Sequence, residues 1–160
     1  MTTPIWPIEG VALDSTGDMV TGSLAAKVNT LGAYFSEKLR VYPTLAAGTT
    51  IVSDNTDWGL GTITQIMPAS TVAVDFYLHA LVIESCTKDG VYEMVIYQGA
   101  DDTEVARVRF AVAGGFFGNF FVLSGPLIPA NARIRAQLAC NTGLAAAATM
   151  TVSLSYHQTA

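Results

Sequence analysis

Charge is what this 160-residue sequence has least of: 13% of its residues are Asp, Glu, Lys or Arg, against about a quarter in an ordinary soluble domain. With 51% hydrophobic residues beside that deficit, a disordered or fibrous chain is excluded. The length suits one domain with a real core and room for an appendage. A domain so poor in solvating side chains is expected to hide part of its surface against other subunits, so the sequence reads as an assembly component.

Acids are missing altogether after Glu104. Residues 1–104 hold all 13 of them against Lys27, Lys38, Arg40 and Lys88, a formal −9, and the remainder holds four arginines and no acid, a formal +4. Two halves of opposite sign are expected to complement each other within the fold or between copies. The net charge of −5 argues against general nucleic-acid binding, which needs basic side chains to displace counterions from phosphates.

Cysteine and histidine are also scarce. Cys86 and Cys140 have no metal-ligand spacing and are too few for a disulfide framework, so free thiols made in a reducing cytosol are expected. The opening MTTPIWPIEG has no basic segment and no long apolar core, unlike a secretory leader. The apolar stretch 111–130 is broken by Gly114, Gly115, Gly118, Gly125, Pro126 and Pro129, which favours a buried strand with glycine-rich turns over a membrane span.

Two regions differ in pattern. Residues 1–44 are expected to form an N-terminal arm: the first 22 are rich in proline, glycine and turn formers, and a possible short helix follows. In that helix Leu24, Val28, Leu31, Phe35 and Leu39 share a face, Ser23 is the cap, and Gly32 lies inside. Residues 45–160 show short alternating segments: 49–52, 61–67, 72–83, 91–99, 104–112, 119–125, 132–140 and 148–157. About eight strands without intervening helices predict an all-β, antiparallel, jelly-roll-like β-sandwich. The turn Thr87–Gly90 predicts a hairpin between the strands it joins. In the last strand Met150, Val152, Leu154 and Tyr156 are expected inside, with Thr151, Ser153, Ser155 and His157 outside.

Nothing in this pattern carries catalysis. His79 and His157 are the only histidines, and no serine or cysteine lies in a nucleophile context. Glu84 and Glu93 face each other across the expected hairpin but are better read as solvated or arginine-paired than as a glycosidase pair. Asp54 with Asp57, and Asp101 with Asp102 and Glu104, lack calcium-loop spacing and read as turn formers. AVAGGFFG has no following lysine and no phosphate-loop setting. No catalytic residue, cofactor site or metal site is therefore expected.

The candidate residues belong to interfaces instead. Arg107 with Arg109, and Arg133 with Arg135, occupy alternate strand positions. They are either a solubilising face or partners of acids such as Glu84, Glu93 and Glu104, in the same chain or another. Trp6, between Pro4 and Pro7, fits an anchor for an extended arm in a neighbour's pocket. Trp58 is expected to plug one end of the sandwich. Phe116, Phe117, Phe120 and Phe121 point both ways along a strand, which makes Phe116 and Phe120 interface candidates or parts of a deep core loop.

The succession ITQIMPASTVAVDFYLHALVIES, VYEMVIYQGADDTEVARVRFA and GPLIPANARIRAQLA, residues 63–85, 91–111 and 125–139, resembles small structural proteins of tailed bacteriophages, in which an arm precedes a β-sandwich attached to the virion. The resemblance covers about residues 45–158 and is most specific in PLIPANARIRAQLA. It implies a non-enzymatic virion protein made in the host cytoplasm. The leading expectation is a capsid decoration, or cement, protein: a homo-oligomer, in particular a trimer, that clamps the major capsid protein and binds neither nucleic acid nor membrane. The alternative is a receptor- or glycan-binding module of a tail or fibre, for which Trp58 and Tyr77 are the candidate contacts.

Overall fold

The computed structural model describes residues 39–113, 119–141 and 147–159. They form nine strands and, among the described residues, no helix. The strands are β1 (Arg40–Tyr42), β2 (Thr49–Val52), β3 (Thr64–Met67), β4 (Phe76–Cys86), β5 (Gly90–Gln98), β6 (Thr103–Val112), β7 (Asn119–Val122), β8 (Ile134–Cys140) and β9 (Thr149–Gln158). The expected arm 1–22, the expected helix positions Leu24, Val28, Leu31 and Phe35, and the candidates Trp6 and Phe116 lie outside the described residues. Arg40–Tyr42, assigned to the arm by its composition, is a strand of the sandwich and pairs with β9.

Two antiparallel sheets face each other. The first runs β1-β9-β4-β7 with β2 also paired to β9, and the second runs β3-β8-β5-β6. The pairings β5–β6, β3–β8, β4–β7 and β2–β9 are nested around the β5–β6 turn. A long folded hairpin rolled so that β4 meets β9 and β5 meets β8 is a jelly roll. The expected all-β sandwich is therefore the observed architecture.

One pairing differs from expectation. Thr87–Asp89 does not close a hairpin: β4 belongs to the first sheet and β5 to the second, so Glu84 and Glu93 are on different sheets. Sheets pack about 10 Å apart, a gap that the few residues between Cys86 and Gly90 span at about 3.3 Å each. Lys88 secures the crossover, its carbonyl accepting the Tyr92 hydroxyl at 2.6 Å and the Cys86 thiol at 3.2 Å.

Ile51, Phe76, Leu81, Ile83 and Val152 from the first sheet and Tyr92, Met94, Ile96, Ile134 and Leu138 from the second are buried between the layers. Phe110 of β6 stacks on Phe121 of β7, with ring centroids 4.7 Å apart, closing one open side. Simple alternation fails at bulges. His79 is an extra residue in β4, so Leu78 and Leu81 both point inward while His79 and Ala80 both lie outward. Val105 is the extra residue of β6 and joins the core, although alternation places it with Arg107 and Arg109. Residues 72–75, read as the start of a strand, lie outside any strand; β4 begins at Phe76.

Candidate functional site

The two outer faces of the sandwich differ in chemistry. On the second sheet, Glu93 stands opposite Arg109 and diagonal to Arg107. Arg107 donates to Glu93 at 2.5 Å and to both oxygens of Glu104 at 3.0 and 2.8 Å, while Arg109 donates to Glu93 at 3.2 and 2.7 Å. The Glu93 side chain is only 14% exposed. Hydrogen bonds from Arg109 and then Arg107 hold its carboxyl below the usual glutamate range, and Arg107 does the same for Glu104. Arg133 donates to the carbonyls of Gly99 at 3.0 Å and Ala100 at 3.0 Å, and Arg135 pairs with Asp102.

The four arginines of the acid-free half thus meet the β5–β6 region of the same chain. Of the three acids expected as partners, Glu93 and Glu104 serve and Glu84 does not. Trp58 does not plug an end of the sandwich. Its amide donates to the Cys140 carbonyl at 2.8 Å, and its ring, on the outside, lies 4.5 Å beneath the Arg109 guanidinium. Asp54 acts as a turn former, accepting the Thr56 amide at 2.8 Å and hydroxyl at 2.7 Å, which lower its pKa.

The outer face of the first sheet is apolar and grooved. Phe120 and Val122, on the same side of edge strand β7, are 67% and 74% exposed and form a ridge. Leu39, Val41 and Leu45 form the opposite wall. Between them lies a groove of about 420 Å³ floored by His79, Ala80, Val82 and Ser155. The bulge builds this floor, because it places His79 and Ala80 outward together. The His79 and His157 rings lie 4.3 Å apart between centroids, and Tyr77 stacks on His157 at 5.1 Å. Tyr77 and Trp58, the expected glycan contacts, are therefore both engaged by neighbouring side chains.

Glu84 shapes the Leu45 wall. Its carboxylate accepts the Ser153 hydroxyl and, at 3.1 Å, the amide of Ala46, a residue in the left-handed region at φ 70°. A side chain at Gly48 would meet the Glu84 carboxyl at 2.8 Å. The turn Thr44–Ala47 is thereby anchored over the sheet, and the half-buried Glu84 is engaged by Ser153 and Ala46 rather than by an arginine or Glu93. Ser153, Ser155 and His157 do face outward as expected, yet all three are buried beneath such coverings.

Sequence reasoning singled out Phe120 but missed Val122, Leu39, Val41, Leu45 and His79 as members of one surface. The spacing of Phe120 and Val122 was a usable signal; the bulge at His79 left none. Among the described residues no cluster of three His, Cys, Asp or Glu side chains is placed to hold a metal ion.

No family model matches the chain, and no curated protein does. Among solved structures, a chain of infectious bursal disease virus Gt strain is similar at 18% identity and a TM-score of 0.38, and one of the Gx strain at 20% and 0.36. Each alignment covers 95% of this chain and 38% of the viral one, so the chain spans less than two fifths of those neighbours' length.

Proposed function

We propose that this protein is a virion structural protein, specifically a capsid decoration protein of a tailed bacteriophage, made in the host cytoplasm. In this reading it acts as a homo-oligomer, in particular a trimer, that bridges neighbouring copies of the major capsid protein. The observation that carries the proposal is the contrast between the two outer faces: one satisfies its charges internally, whereas the other presents a ridge and groove that the described residues line without a charge. A jelly roll is an architecture that viral shells use, and the resemblance to phage structural proteins in the sandwich region supports the same reading. The work of such a protein is thermodynamic. Each copy binds the assembled shell better than dispersed subunits, and so shifts the equilibrium toward the shell by mass action and multivalency.

The test is location and effect on purified particles. Imaging is expected to show a regular array of the protein on the head surface, and particles stripped of it should release their contents at a lower temperature. Density confined to the tail, or stripped heads as heat-resistant as complete ones, would overturn the proposal.

A further inference from the structure

We infer that the groove on the outer face of the first sheet binds a second copy of this chain, the Phe120–Val122 ridge of one copy seating in the groove of the next. This rests on the proposed assembly role and adds the surface through which copies meet. Ridge and groove lie side by side on one sheet, so each copy carries both halves of a complementary contact. The ridge, on edge strand β7, is one wall of the groove, and Leu39, Val41 and Leu45, at the β1 side of the sheet, are the other. A head-to-tail contact of this kind closes as a ring where the rotation from copy to copy divides a full turn, and otherwise extends as a filament.

Size and charge favour this occupant. Leu39, Leu45, Phe120 and Val122, each more than 60% exposed, present on the order of 400 Å² of apolar surface, already within the range of a functional patch. Adding the floor brings a copy that offers its ridge to one neighbour and its groove to another toward the ~800 Å² per partner of a stable interface. Among the described residues no Asp, Glu, Lys or Arg lines the groove. Two molecules of net charge −5 can meet here without bringing acids together, whereas a strongly charged partner finds no counter-charge. Among the described residues the polar groups on the floor are His79 and Ser155, too few to orient a small polar ligand.

The experiment is sedimentation velocity of the full chain at about 5–50 µM, compared with Phe120→Asp, the milder Val122→Gln, and Val74→Asp as an exposed control outside the groove. The parent and the control are expected to sediment as one discrete oligomer. The two groove variants, folded by near-ultraviolet circular dichroism, should have dissociation constants raised about tenfold or more. A monomeric parent overturns the inference, as do groove variants that associate like the parent or a control that dissociates with them. A monomeric parent whose folding is destabilised by Phe120→Asp assigns the groove to the chain's own residues, which also overturns it. Applying the same variants to particles separates the two readings: normal self-association without attachment to heads defeats the decoration role alone, and attachment by a monomeric parent defeats this inference alone.

Discussion

Glu84 brings a formal charge close to the groove, and its carboxylate is held by the Ser153 hydroxyl and the Ala46 amide. Removing it leaves a buried hydroxyl and a loop amide without their acceptor. Glu84→Ala is therefore expected to lower the unfolding free energy by about 1–3 kcal/mol, read as a fall in the urea midpoint, and to loosen the Leu45 wall. Gly61 is constrained more severely, because a Cβ there would lie 1.9 Å from the Val52 carbonyl oxygen. Backbone cannot swing aside as a side chain does, so Gly61→Ala is expected to cost about 1–3 kcal/mol or more in the same measurement. Glu93 gives an acid-dependent signature. Its folded pKa lies below the unfolded value, so its stabilisation is complete above the unfolded pKa of about 4.3 and is lost as pH falls through the folded one. Urea midpoints measured from pH 6 down to pH 3 should fall less steeply for Glu93→Gln than for the parent; the slope should persist in part, since Glu104 is shifted the same way.

All the strands but β1 were legible in the sequence, and which strands pair was not. The alternation in β6 and β8 correctly put arginines on one face, and Glu93 and Glu104 could be named as partners, because a period of two survives wherever a strand is regular. At His79, Glu84 and Val105 the period breaks, and no glycine or proline marks those bulges. The groove floor was invisible for that reason. Its far wall was hidden differently: Arg40–Tyr42 is too short to show a period and follows a stretch with helical spacing. The β4–β5 connection failed as a hairpin because a short turn serves equally to join neighbours in one sheet and to step between two. That crossover depends on the hydroxyl of Tyr92, which is fully buried. Tyr92→Phe is expected to cost about 1 kcal/mol by chemical denaturation while leaving the sedimentation behaviour unchanged, since the Tyr92 side chain is buried between the layers and takes no part in the groove.

At the scale of the molecule, nested pairing makes almost every strand contact distant in sequence. Ile51 opposes Met150, so forming that pair closes a loop of about a hundred residues. Folding from denaturant is accordingly expected on the millisecond-to-second scale of non-local β proteins, and a stopped-flow relaxation in microseconds would contradict the topology. The same nesting sets Arg40 against Tyr156, so the first strand of the sandwich begins beside the end of the last. A tensile load applied through residues 39 and 159 acts at one end of the β1–β9 ladder and opens its hydrogen bonds one after another, like a zipper, instead of shearing them together. Stretched between those two points, the sandwich should peel open at low force from its β1 edge. Pressed across its sheets, as a plate held between neighbours, it meets the load with its packed core.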